Sequence, residues 1–87
     1  MNVSGKTMHL RVLTRGELVF EGDVKSLSSV NELGKFDVLV EHANFISMVR
    51  DYLIIREQGS ADREIKISQG ILRVGQDRAN VYLGIKA

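Results

Sequence analysis

The residue types able to do chemistry are few in this chain, and their spacing defines what they could do. His9 and His42 are its only histidines, and Cys is absent. Metal ligation by His and carboxylates needs a short-spaced set such as H-x-x-x-H, and neither imidazole stands in one. His42, followed by Ala43 at the start of a predicted strand, reads as a hydrogen-bonding partner of a loop. His9 alternates outward on the first strand and reads as solvated. Ser28, Ser29, Ser47 and Ser68 could be nucleophiles only beside a base held by a third group, and none sits in a strand–Gly-x-Ser-x-Gly–helix setting. Asp37 and Glu41 suggest a carboxylate pair. Residues four apart on a strand, however, lie about 13 Å apart, too far to share one substrate atom as acid and base. The Gly clusters open no helix, so they lack the amide array that would cradle a phosphate. The chemistry-bearing residues therefore argue for a binding or structural module and against an enzyme, with no cofactor expected.

Composition points the same way. A chain of 87 residues has room for one domain, and 44% hydrophobic residues suffice for an apolar core without disulfides. Lack of Cys fits a reducing compartment. The 12 basic and 11 acidic residues interleave to a net charge of +1, which leaves no basic stripe for nucleic acid. No apolar run approaches the roughly 20 residues needed to span a bilayer. Met1 to Thr7 is polar and lacks the apolar segment of a signal peptide. The expectation is a soluble cytoplasmic chain without direct membrane insertion, with residues 1–7 as a flexible N-terminus and 8–87 as one domain.

The elements that must position these residues show a period of two. Leu10 and Val12 face one way, His9 and Arg11 the other. Ile65 and Ile67 alternate with Glu64, Lys66 and Ser68; Val81, Leu83 and Ile85 repeat the pattern. Turn signals fall at Arg15-Gly16, Gly22-Asp23, Asn31 to Gly34, Gln58 to Asp62 and Gly75 to Arg78. Separate strands are predicted for Tyr52–Arg56, Arg63–Ser68, Ile71–Val74 and Ala79–Leu83, and one from Val24 to Val30. Asn44 to Tyr52 is the best helix candidate, but Phe45, Ile46 and Val49 favour a strand. Eight or nine short strands with frequent turns predict an all-β sandwich or barrel.

Four ordered pieces carry a family likeness: Val19-Phe20-Glu21-Gly22-Asp23-Val24, Gly34-Lys35-Phe36-Asp37-Val38-Leu39, His42-Ala43-Asn44-Phe45 and Ser68-Gln69-Gly70-Ile71-Leu72-Arg73-Val74. In this order and spacing, from about Met8 to Ile85, they resemble the N-terminal β-sandwich of the F1 ATP synthase epsilon subunit. The resemblance implies an all-β, two-sheet sandwich of about 8–10 short, mostly antiparallel strands. It implies a non-catalytic rotor subunit of the central stalk, on the cytoplasmic face of the plasma membrane as a peripheral part of F1. Its partners would be the gamma subunit and the loops of the c-ring, and it would support proton-driven ATP synthesis. By position, Gly34, Lys35 and Phe36 would contact the c-ring, and His42 and Ser47 the gamma subunit.

The departures are specific. Lys35 stands where the family often has Glu, Val40 where it usually has Pro, and Gln69 where the first Gly of a Gly-Gly pair is usual. The two C-terminal helices of many members have no counterpart before Ala87, so self-inhibition of hydrolysis through them is not expected. The competing expectation is a free-standing β-module with a different partner; a small hydrolase would need a Ser-His pair or a perturbed carboxylate in a pocket.

Overall fold

The computed structural model describes residues 6–40 and 44–84. Seven strands account for most of them: β1 Met8–Thr14, β2 Glu17–Val24, β3 Ser26–Asn31, β4 Gly34–Leu39, β5 Phe45–Arg56, β6 Arg63–Gly75 and β7 Arg78–Leu83. They form one hydrogen-bonded sheet in the order β2-β1-β7-β6-β5-β3-β4. Every pairing is antiparallel except that of β1 with β7.

This order forces the sheet to fold over. Laid flat, β2 and β3 would be five strand spacings apart, about 24 Å. A single residue, Lys25, joins them, and one linking residue spans at most about 7 Å. The two ends of the sheet must therefore meet. The backbone N–H of Lys25 closes the seam by donating to the Arg56 carbonyl at 2.7 Å. Leu10 and Val12 of β1, Val24 of β2, Leu27 of β3, Val38 of β4, Leu53 and Ile55 of β5, Leu72 of β6 and Val81 of β7 consequently share one core. The result is the predicted all-β sandwich, built from one continuous sheet.

Seven strands replace the eight or nine read from the sequence, because β5 and β6 each absorb two predicted runs. They cross from one layer to the other at a bulge. Arg50 pairs with Gln69, then Asp51 with Ile67, leaving Ser68 unmatched; Asp51 sits at φ 74°. An extra residue bends a strand and increases its twist, and this is how a long strand turns a corner without ending. The helix candidate at Asn44–Tyr52 lies almost wholly inside β5.

Gly22-Asp23 is not the turn the sequence suggested. Gly22 and Asp23 pair with Leu10 and His9 in mid-ladder, and the chain changes layer at Lys25 instead. The other turns fall as read. Gln76-Asp77 makes a two-residue hairpin with both residues at positive φ, 30° and 63°, as the twist of the flanking strands favours. Ile65 and Ile67 pack against the core as expected, and so does Leu83; Ile85 lies outside the described residues.

Candidate partner-binding surface

The β3–β4 hairpin presents the residues expected to touch a partner. Its turn is Glu32-Leu33, closed by the Asn31–Gly34 pair. Gly34 takes φ 116°, a region costly for any side chain. Asn31 organises the turn twice over. Its Oδ1 accepts the Leu33 N–H at 2.8 Å, an Asx turn, and its Nδ2 donates to Ser47 Oγ at 3.2 Å. The Ser47 hydroxyl in turn donates to the Met48 carbonyl at 2.9 Å.

Leu33 therefore stands at a braced tip with 92% of its surface exposed. Lys35 is exposed beside it. Phe36 is half-buried: its ring meets Phe45 of β5 edge-on with centroids 6.3 Å apart, and both rings pack against the core. Gly34, Lys35 and Phe36 were expected to serve one partner and Ser47 another, yet the Asn31–Ser47 bond ties the two groups together. His42 lies outside the described residues. Sequence reasoning missed Leu33, whose only signal is an apolar residue inside a turn.

Asn31→Ala is expected to lower stability by about 1 kcal/mol, because it removes one turn bond and the tether to β5. Asn31→Asp keeps the turn acceptor and should recover part of that loss, as measured by urea denaturation of both variants.

A second surface lies on the outside of the β2-β1-β7-β6-β5 layer. In register across five strands run Leu18, Leu13, Tyr82, Ile71 and Met48. Leu18 and Tyr82 are exposed, and Leu13, Ile71 and Met48 are half-buried. Alternation does not reveal this apolar row, because Leu13 and Tyr82 stand directly beside the buried Val12 and Val81 and the row is assembled only by strand register.

The residues first considered for chemistry have structural work. The Ser28 hydroxyl donates to Asp37 and accepts from Arg56 Nη1 at 2.6 Å. Arg56 also reaches Asp62 at 3.4 Å. Ser29 donates to the Tyr52 carbonyl at 2.7 Å. With a further bond from Arg56 Nη1 to Ser26 Oγ at 3.4 Å, these bonds let three serines, Ser26, Ser28 and Ser29, be buried on β3 and hold β4 and β5 to it. A hydroxyl whose oxygen accepts from a guanidinium is a poor nucleophile. Glu41 lies outside the described residues.

His9 is outward, as read, but it is clamped rather than simply solvated. Nε2–H donates to Glu21 at 2.6 Å and Nδ1–H donates to Asp23 at 3.0 Å. Donation from both nitrogens requires the imidazolium. The hydrogen bonds to Asp23 and then Glu21 hold the His9 pKa above 6.5, and the bond from His9 holds Glu21 below 4.5. A raised histidine pKa stabilises the fold fully below 6.5, and this is lost as pH rises through the folded value. A lowered carboxylate pKa stabilises above 4.5, and this is lost as pH falls through the folded value. The clamp is thus strongest between these limits. Because these groups are exposed, the effect is small. The urea midpoint should drop more between pH 5.5 and pH 8.5 in the parent chain than in His9→Gln.

A closed sandwich with a braced apolar tip and an apolar outer row presents surfaces of the kind that dock another protein. The chain belongs to the family of the ATP synthase delta/epsilon chain beta-sandwich domain, whose model matches residues 7–83. It is 35% identical over 78 residues to the ATP synthase epsilon chain of a Nitratiruptor species, covering 88% of this chain and 60% of that one. It is 39% identical over 69 residues to the ATP synthase epsilon chain of Ruminococcus albus, covering 78% and 51%. The chain thus spans between half and two thirds of the length of these relatives. Among solved structures, a chain of the Euglena gracilis mitochondrial ATP synthase (OSCP/F1/c-ring) superposes with a TM-score of 0.82 at 16% identity, covering 88% of this chain and 50% of that one. A chain of the Tetrahymena thermophila mitochondrial ATP synthase central stalk/c-ring gives 0.72 at 10% identity, covering 87% and 62%. At these identities the two superpositions speak for the fold.

Proposed function

We propose that this chain is the sandwich domain of a non-catalytic rotor subunit, which joins the gamma subunit to the c-ring in the central stalk of an F-type ATP synthase and so supports proton-driven ATP synthesis. The observation that carries this is family membership across residues 7–83, together with curated relatives named ATP synthase epsilon chain. The architecture suits the role. A part that transmits torque must resist deformation, and a sheet closed on itself by a one-residue seam has no hinge between its layers.

The β3–β4 tip is the c-ring contact in this proposal. Leu33 and Lys35 supply the exposed groups, and Gly34 and Phe36 set the shape beneath them. Ser47 and His42 belong to the gamma side. The domain is held at the cytoplasmic face of the membrane through these protein contacts. No helix among the described residues is long and apolar enough to cross a membrane.

Affinity capture of the tagged chain from detergent-solubilised membranes of its own organism tests the proposal. The expected result is co-recovery of the gamma subunit and c-ring in constant proportion. Recovery of neither would overturn it.

A further inference from the structure

On the outside of the sandwich, where β5, β6 and β7 run together, a shallow groove of about 690 Å³ is lined by Asn44, Ile46, Arg73, Gln76, Arg78 and Asn80, among others. Its chemistry follows from register. Ile46 pairs with Arg73 and Arg73 with Asn80, while Arg78 is opposite Gly75. Arg73 and Arg78 are thus diagonal cross-strand neighbours, about 7–8 Å apart at their bases. Both are exposed. Among the described residues neither has a carboxylate partner, whereas Arg11, further along the same row, leans on Glu21 at 3.8 Å. Ile46, on the other side of Arg73, leaves 69% of its surface in water. The apolar row through Met48, Ile71 and Tyr82 is the next outward row of the same sheet.

Two guanidiniums without a carboxylate partner among the described residues, amide side chains between and beside them, and an exposed isoleucine form a mixed cationic and apolar surface. Resting on the stalk-subunit proposal above, we infer that this groove receives an acidic, extended segment of the gamma subunit. Its carboxylates would meet Arg73 and Arg78, and an apolar side chain would cover Ile46. Arginine presents a planar fork that fits a carboxylate with two parallel bonds. A free phosphate is the poorer occupant. β6 lies between β5 and β7, so its backbone amides are consumed in ladders and offer no anion nest, and phosphate has nothing to place on Ile46.

The test titrates the purified chain with the purified gamma subunit of its own organism, at low and at moderate salt. Arg73→Glu and Arg78→Glu are compared with Lys66→Glu, which makes the same charge change on an exposed residue of the other layer. Thermal melts confirm that these three variants and the double arginine reversal fold. The inference predicts that each arginine reversal weakens binding about tenfold or more, that the double reversal weakens it about a hundredfold or more, and that salt weakens the parent complex more than the double variant. Lys66→Glu should bind within about twofold of the parent. If the arginine variants bind as tightly as the parent, the inference fails while the stalk assignment stands. If the parent chain itself does not bind gamma at micromolar concentration, the stalk assignment fails and the inference with it. If the chain alone self-associates and Arg73→Glu abolishes this, the groove belongs to a second copy and the inference is overturned.

Discussion

Gly70→Ala is expected to destabilise the domain by about 3 kcal/mol, lowering the melting temperature by more than about 10 °C, and Gly70→Val by more. Gly70 is buried in the middle of β6, with Val49 on one side and Leu83 on the other. A Cβ there would stand 2.7 Å from the Tyr82 carbonyl oxygen and 3.3 Å from the Leu83 Cα. Both are backbone atoms, so no rotamer change relieves the clash. β6 and β7 would have to separate where the Gly84 N–H also donates to the Gln69 carbonyl at 2.9 Å. The informative control is Gly75→Ala, whose Cβ would meet Asn44 Oδ1 at 3.0 Å. That atom ends a flexible side chain, so the cost should stay below about 1 kcal/mol. Thermal denaturation of the variants decides the matter; a Gly70→Ala protein as stable as the parent would show that the ladder tolerates the methyl group. The same clash is the physical reason for a glycine at position 70 of the Ser68–Val74 motif.

Leu33→Asp should produce the opposite pattern, a large loss of assembly with little loss of stability. The side chain is 92% exposed, so its replacement should change folding by no more than about 0.5 kcal/mol. If the tip docks on the ring, a carboxylate at its apex should cost about 2 kcal/mol or more of binding, roughly a thirtyfold loss. Phe36→Asp provides the contrast. Its ring lies against Phe45 and the core, so it should cost about 3 kcal/mol of stability whatever it does to assembly. Melting temperatures and incorporation into the solubilised complex, measured on both variants, separate the two cases. Normal incorporation of Leu33→Asp would remove the tip from the interface.

Much of the fold was legible because its determinants are local. Leu10 and Val12, Ile65 and Ile67, and Val81 and Leu83 alternate with polar residues, and the Arg15-Gly16 and Gln76-Asp77 turns stand where the chain reverses. Two features were not legible. The bulge at Asp51 and Ser68 carries no Gly or Pro to mark it, so β5 and β6 each read as two strands. The step at Lys25 is a long-range consequence of strand order, invisible to periodicity, while the more turn-like Gly22-Asp23 lies in mid-ladder. The candidate surface was half legible. Gly34, Lys35 and Phe36 stand out by motif, but the burial that separates Leu33 from Phe36 depends on Phe45, nine positions beyond Phe36. The groove over Arg73 and Arg78 depends on the β6–β7 register, which no motif states.

The central claim is that this sandwich is a stalk component bound by the gamma subunit, and direct titration of the two purified proteins by calorimetry tests it most simply. A one-to-one complex with a dissociation constant well below micromolar is the predicted result. A flat titration at micromolar concentrations, with both proteins folded, would contradict it.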